Sequence, residues 1–214
     1  MKAQTRTLLS LCLAVVLVLT AVLGTIAYMT ASDSVTNTFT VGSFAKPEPT
    51  DPAHPEKLKE YIEESNWVDN SKLVPGSSIP KDPKVGIGTG SEEAWVYVYI
   101  KNNLVTASGN EVTFKLNGGW EAVDATEVTP GSGVYTGGLF KFSTTLNAVS
   151  TDAWTSTIFD NVQVASTATV EGFNATAKTM VVNAYIHQAN DNGTPIDTTT
   201  INAAAEAWVT TLGA

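Results

Sequence analysis

The chain has 214 residues, of which 12 are basic and 21 acidic, and its formal net charge is -9 at pH 7. Its single arginine is Arg6, and an acidic chain with so little guanidinium argues against nucleic-acid or phosphate recognition. Its single cysteine, Cys12, lies in an apolar block, so the sequence predicts no disulfides and no thiol chemistry beyond that block.

The N-terminal segment is typical of a secretory signal. Two basic residues precede an apolar block from Leu8 to Leu23, and Thr25-Ile26-Ala27 places small residues at the third and first positions before a cut. We therefore predict a signal peptide over residues 1–27, with cleavage between Ala27 and Tyr28. The alternative is an uncleaved membrane anchor, because this stretch is about long enough to cross a bilayer. In both cases the body of the protein lies outside the membrane.

The next two segments differ sharply in composition. Within residues 28–45, the side chains of Val35, Phe39 and Val41 fall on one face of a predicted strand, and threonines fall on the other. Residues 46–72 form a proline-rich insertion that begins as a connector, because proline removes donors and fixes the backbone. Within this insertion, Pro55 opens a predicted short helix that ends near Ser65.

Residues 73–214 contain most of the predicted strands. The clearest runs from Trp95 to Ile100 and is apolar on both faces, which predicts a central position in a sheet. Its aromatic face, formed by Trp95, Tyr97 and Tyr99, is either packed under a helix or a platform for a ligand. Asn117-Gly118 predicts a hairpin, and Ile201 to Leu212 predicts a closing helix.

The number of strands and turns determines the predicted fold class. About seven to nine strands with frequent turns, such as the one at Pro75-Gly76, predict an all-β protein. We expect an antiparallel jelly-roll-like β-sandwich with one or two short peripheral helices.

The sequence predicts no catalytic, cofactor-binding or metal site. His54 and His187 lack the companion ligands that a metalloprotease helix supplies. The adjacent pairs Glu63-Glu64 and Glu92-Glu93 point apart on a helix or strand, so neither pair shares a proton. The loop from Asn190 to Asp197 lacks the first and last acidic ligands of a calcium loop. We therefore expect no cofactor and no enzymatic activity.

Several short stretches occur in a recognisable order along the chain. They are Gly24 to Thr30, Asn37 to Gly42, Val74-Pro75-Gly76 with Lys81 to Val85, Ile158 to Val162, and Ala184 to Gln188 followed by Ala205 to Trp208. As an ordered set, these stretches resemble the TasA/camelysin family of secreted biofilm-matrix fibre proteins of Gram-positive bacteria. The likeness spans most of the chain, and the insertion from Lys46 to Lys72 departs from it.

The resemblance implies a structural role outside the cell. Export would use a SipW-like signal peptidase, and the product would be a subunit of an extracellular-matrix or cell-surface fibre. Family members are expected to polymerise by lending an N-terminal strand to the next molecule, which would supply main-chain hydrogen bonds and side-chain pockets. In this chain the donor strand would be residues 28–45, with Val35, Phe39 and Val41 as apolar anchors. The partner would be another copy of the chain, and an accessory fibre subunit is an open alternative for initiation.

Three alternatives remain open at this point. The N-terminal strand pairs within its own subunit as an ordinary first strand. The protein is a camelysin-like secreted metallopeptidase, an activity attributed to relatives. The protein is a cell-surface adhesin that binds glycan or host protein through its aromatic residues.

Overall fold

The computed structural model describes residues 30–34, 44, 46–47, 61–66, 73–104, 112–168, 179–191 and 193–213. The predicted cleavage residues Ala27 and Tyr28 and the predicted apolar anchors Val35, Phe39 and Val41 lie outside these residues. No helix within the described residues is both long enough and apolar enough to cross a membrane.

The described residues form fourteen strands and one helix, which we number in chain order. The strands are β1 (Thr30–Ser34), β2 (Ile62–Glu64), β3 (Ser78–Pro80), β4 (Pro83–Ile87), β5 (Ala94–Asn102), β6 (Val112–Lys115), β7 (Trp120–Asp124), β8 (Val134–Tyr135), β9 (Gly138–Phe142), β10 (Ala153–Trp154), β11 (Asn161–Val164), β12 (Met180–Gln188), β13 (Asn190–Asp191) and β14 (Thr194–Pro195). The helix is α1 (Thr198–Thr211).

The first layer is an antiparallel five-stranded sheet with the order β1-β12-β5-β9-β7. Its centre is β5, which pairs with β12 on one side and with β9 on the other. Val96, Val98 and Ile100 of β5 are fully buried on the face that points into the sandwich. The predicted central strand is therefore confirmed.

The second layer consists of two smaller antiparallel sheets that continue one another. Their orders are β10-β4-β2 and β3-β11-β6-β8. β3 leads into β4, and β10 leads towards β11, with short breaks between them. Main-chain hydrogen bonds bridge the breaks, because the Lys81 N–H donates to the Asp160 carbonyl at 3.1 Å and the Ile158 N–H donates to the Pro83 carbonyl at 2.8 Å. The two sheets therefore act as one layer facing the five-stranded sheet.

The main core lies between the two layers. Phe114 of β6 contacts Phe140 of β9 edge-on at 5.7 Å between ring centroids, and it packs against Phe159 at 4.5 Å. All three rings are fully buried, and each contributes roughly 1.5–3 kcal/mol by leaving water. The predicted all-β sandwich is confirmed. From β5 to β9 successive strands alternate between the layers, so strand neighbours are distant in the sequence, as they are in a jelly roll.

Helix α1 covers the outer face of the five-stranded sheet. Asp197 caps its N-terminus by accepting from the Thr199 N–H at 3.0 Å, which satisfies one of the first-turn donors. Ile201 and Ala205 are fully buried against the outer side of β5, β9 and β12. The predicted closing helix is confirmed, and the cap explains why it already begins at Thr198.

The proline-rich insertion contributes a strand where we predicted the end of a helix. Ile62–Glu64 form β2, antiparallel to β4, instead of the last turn of a helix from Pro55 to Ser65. Pairing with β4 buries Ile62 opposite Val85 and supplies its backbone with partners, whereas a helix of this length is marginal on its own. Residues 55–60 lie outside the described part of the chain.

The predicted hairpin at Asn117-Gly118 is wrong, because β6 and β7 lie in different layers. The Asn117 N–H donates to the Ile158 carbonyl at 2.8 Å, and its side-chain amide donates to Asp160 Oδ1 at 2.9 Å. Gly119, with φ at 90°, allows the chain to turn across the sandwich. The asparagine thus holds a neighbouring loop of the second layer instead of closing a hairpin.

Candidate functional site

The N-terminal strand β1 lies at one edge of the five-stranded sheet. It pairs antiparallel with β12, from Thr30 opposite His187 to Ser34 opposite Asn183. This is pairing within one chain, and it corresponds to the alternative that the sequence left open. The strand ends at Ser34, where the predicted alternating segment begins. Residues 35–43 lie outside the described part of the chain, so Val35, Phe39 and Val41 stay predictions.

β12 is the strand that receives β1. It pairs along its whole length with β5, from Met180 opposite Asn102 to Gln188 opposite Ala94. Its side chains are buried on both faces, because Ala184 and Ile186 contribute to the main core and Tyr185 packs under α1. β12 is therefore held firmly in place whether or not β1 is paired with it. If β1 left, the main-chain donors and acceptors on that side of β12 would be open to another strand.

By sequence, β1 carries no large apolar residue, since it reads Thr-Ala-Ser-Asp-Ser. Antiparallel pairing depends on main-chain hydrogen bonds, which any strand of suitable length supplies. A strand of this composition is held less by burial than a strand rich in valine or isoleucine would be. β1 is therefore a short edge strand whose pairing with β12 depends mainly on main-chain hydrogen bonds.

The aromatic face of β5 is packed under α1. Tyr97 is fully buried, donates its hydroxyl hydrogen bond to Asn202 Oδ1 at 2.6 Å, and meets Tyr185 edge-on at 6.2 Å. Tyr185 in turn stacks on Trp208 of the helix at 5.2 Å. Burial, and secondarily the neighbouring Tyr185, raises the pKa of the Tyr97 hydroxyl well above its usual range. The middle residue of the predicted aromatic platform is thus a core residue.

The acidic pairs that the sequence singled out make structural contacts. Glu64 accepts from Lys81 Nζ at 2.6 Å, and Glu63 pairs with Lys84 at 3.4 Å. Glu93 accepts from Thr145 and Asn190. In the described ranges, no three His, Cys, Asp or Glu residues come close enough to hold a metal ion. His187 lies within this part, with its Nδ1 2.8 Å from the Gln188 carbonyl oxygen, and His54 lies outside it.

A polar cleft of about 480 Å³ lies at the break in the second layer, and sequence reasoning missed it. Its lining residues are Asn66, Pro80, Asp82, Thr157, Asp160 and Asn161. Asp82 accepts two hydrogen bonds from Asn66, both at 2.8 Å. Asp160 accepts from Asn117 and Thr157. These carboxylates fix the loops around the break. The signal in the sequence was the pair of stretches around Asp82 and Asp160, which lie far apart in the chain and meet here.

The site of greatest functional interest is therefore the β1–β12 edge. Comparisons with protein-family models, with curated proteins and with solved structures found no match to this chain.

Proposed function

We propose that this protein is a secreted, non-enzymatic structural subunit of an extracellular biofilm-matrix fibre. Subunits join when the N-terminal strand of one copy pairs with β12 of the next. The single observation that supports this proposal best is the position of β1, an N-terminal strand at a sheet edge that is paired with β12. A strand in this position can be exchanged between copies with the same hydrogen-bond pattern.

The predicted export segment determines where and when the strand can be exchanged. Removal of residues 1–27 by a SipW-like peptidase leaves β1 close to the new N-terminus at Tyr28. Before cleavage, the same strand is tethered to the membrane-targeting segment, so assembly is confined to the outside of the cell. After cleavage, the free end can withdraw from its own β12 and pair with that of another copy.

Predicted anchor residues strengthen the contact between copies. Val35, Phe39 and Val41 alternate after β1, and in an extended donor segment they present apolar side chains at every second or fourth position. Such side chains fill pockets on the receiving subunit and add affinity to the main-chain pairing. The partner is another copy of this chain, and an accessory subunit that starts the fibre fits the same scheme.

Electron microscopy of the chain from Tyr28 to Ala214, incubated for several days at moderate concentration, tests the proposal. We expect fibres from this chain and none from a variant that lacks Tyr28 to Val41. Circular dichroism and thermal unfolding establish that the shortened variant is folded. Fibres from the shortened variant, or monomers from the complete one, would argue against strand donation.

A peptide experiment covers the case in which the shortened variant does not fold. A synthetic peptide with the sequence from Tyr28 to Val41, added in excess to the complete chain, should occupy β12 and cap growing fibres. We expect shorter fibres and slower growth, and no effect from a scrambled peptide of the same composition. Equal effects of the two peptides would count against a specific receiving edge.

A further inference from the structure

The strand β2 is held in the sandwich by apolar contacts. Phe44, Tyr61 and Ile62 are each buried in the main core. The Tyr61 hydroxyl donates to the Phe44 carbonyl oxygen at 2.9 Å, and the Tyr61 carbonyl accepts from the Gly86 N–H of β4 at 2.8 Å. Phe44 and β2 are therefore tied to each other and to the second layer.

Polar contacts hold the far end of the same segment. Lys81 Nζ lies 2.6 Å and 2.8 Å from the two carboxylate oxygens of Glu64, and only 8% of the lysine side chain is exposed. Asn66 donates to Asp82 from both its main chain and its side chain. Separating an ion pair with so little water around it leaves a poorly solvated charge, which makes local opening costly. We call Phe44 and residues Tyr61–Asn66, with these partners, the β2 clamp.

We infer that the β2 clamp stays in its own subunit when β1 is exchanged, so that the exchanging arm ends before Phe44. The inference rests on the proposed strand donation and adds which residues move. A segment must detach before it can pair with a neighbour, and the free energy of that local opening rises with the apolar area and buried ion pairs it uncovers. Detaching the clamp uncovers three core side chains and separates Lys81 from Glu64. Detaching β1 separates a short edge strand.

The fixed clamp sets a limit on how far apart two joined subunits can be. Residues 35–43 connect β1 to Phe44, and a fully extended chain of that length spans roughly 30–35 Å. Phe44 of the donor therefore lies within about that distance of the Asn183 backbone of the receiving copy, which is opposite Ser34. An arm that also carried β2 would allow a much longer separation.

Disulfide trapping in assembled fibres distinguishes an exchanging arm that ends before Phe44 from one that also carries β2. The chain from Tyr28 onward contains no cysteine, so pairs introduced there are the only thiols. Thr30→Cys with His187→Cys tests β1 against β12, and Glu63→Cys with Lys84→Cys tests β2 against β4, since both are directly opposed pairs. Opposed residues of antiparallel strands have the Cα separation that a disulfide needs. Each variant is assembled under reducing conditions, oxidised, and run on a non-reducing gel.

We expect covalent ladders from the Thr30/His187 pair and disulfide-bonded single chains from the Glu63/Lys84 pair. Ladders from the Glu63/Lys84 pair would overturn the inference, because they would show that β2 has also moved into the neighbour. Single chains from the Thr30/His187 pair would contradict the proposed strand donation. The stability of the β2 clamp relative to β1 is then tested by a second measurement in the monomer.

Hydrogen exchange in the monomer is that second measurement, and it does not depend on fibres. We expect the β1 amides to exchange at least 10-fold faster than the Gly86 amide, which is bonded to Tyr61. If the β1 amides exchanged as slowly as the Gly86 amide or more slowly, this result alone would overturn the inference that the β2 clamp is held more firmly than β1. A variant with Lys81→Met should raise the exchange rate at Gly86 and leave the rates in β1 unchanged.

Discussion

Glu127 organises a tight loop in the second layer through its carboxylate. It accepts from the N–H groups of Gly131 and Gly133 and from the Tyr135 hydroxyl. The bond from Gly131, followed by that from Gly133, lowers the pKa of Glu127 below its ordinary value of 4.5. A group whose pKa is depressed by folding stabilises the protein above its unfolded pKa, and this contribution is lost as the pH falls through the folded value.

We therefore predict that Glu127→Gln lowers the free energy of unfolding at neutral pH. Below about pH 4.5, the free energy of unfolding of this variant should fall less steeply with decreasing pH than that of the wild type. Urea unfolding at pH 7 and at several values between pH 5 and 3 measures both effects. Glu121→Gln is the matched control, because 59% of the Glu121 side chain is exposed and its oxygen lies 3.5 Å from Lys141. Parallel pH profiles for Glu127→Gln and the wild type would contradict this role.

Two neighbouring lysines test how much burial matters for an ion pair. Lys81 is 2.6 Å from Glu64 with 8% and 17% of the two side chains exposed, whereas Lys84 is 3.4 Å from Glu63 with 25% and 24% exposed. Lys81→Met leaves Glu64 without this cation in a mostly buried site, and we expect a loss of about 1–3 kcal/mol in the free energy of unfolding. Lys84→Met should cost less than about 1 kcal/mol. Equal losses in urea unfolding would show that burial does not strengthen the Lys81 contact.

At the scale of strands, β9 and β7 meet at a position that requires glycine. Gly138 has φ at 127°, and a Cβ atom there would lie 2.4 Å from the Cβ of Ala125 and 2.7 Å from the Asp124 carbonyl oxygen. The β7–β9 register shifts between Ala122 and Asp124, so a bulge brings the two backbones together here. A Gly-Gly pair in a sequence is typical of a turn, and the sequence alone gives no sign of this close contact.

Gly138→Ala should therefore destabilise the sandwich by roughly 2–3 kcal/mol through backbone strain and overlap. Thermal unfolding of the variant measures this effect. Gly118→Ala is the control, since a Cβ atom at Gly118 would meet nothing within 4 Å, and it should change stability by less than about 0.5 kcal/mol. Similar melting temperatures for the two variants would contradict the requirement for glycine at Gly138.

Local patterns predicted the elements whose formation depends on local sequence. The apolar run in β5 and the helical stripe of α1 were both found, as was the turn at Pro75-Gly76, where the Ser77 N–H donates to the Val74 carbonyl at 2.9 Å. The three-residue strand β2 was missed, because its conformation comes from pairing with β4, whose opposed residues lie 19 to 23 positions further along the chain. The Asn117 hairpin was wrong for the same reason, since the partner of Asn117 is a distant loop.

For the whole molecule, the sequence predicted an all-β sandwich but not which strands are neighbours. β12 pairs with β5 and with β1, which lie far from it in the sequence, and no period in the sequence encodes these choices. The candidate site, like the strand order, could be predicted only in part from the sequence. The alternating segment with Val35, Phe39 and Val41 was predicted from the sequence and lies outside the described residues, whereas the pairing of β1 with β12 within one chain became visible only in three dimensions.

At the scale of the whole molecule, the described residues form a two-layered body to which β1 adds an edge strand. Both layers are joined by a common aromatic core, and α1 covers the outer face of the sheet to which β1 belongs. β1 lies at the rim of this body, beside a β12 that is already paired with β5. Under the proposed strand donation, such a subunit would give up β1 and accept the same strand of another copy.

The most direct test is fibre formation by the chain from Tyr28 to Ala214 carrying Thr30→Cys and His187→Cys. Oxidation of the monomer locks β1 to its own β12, and a reducing agent releases it. We predict no fibres from the oxidised monomer and normal fibres after reduction, while the cysteine-free wild type assembles equally in both conditions. Fibres that grow while the disulfide is intact within each subunit would contradict strand donation by β1.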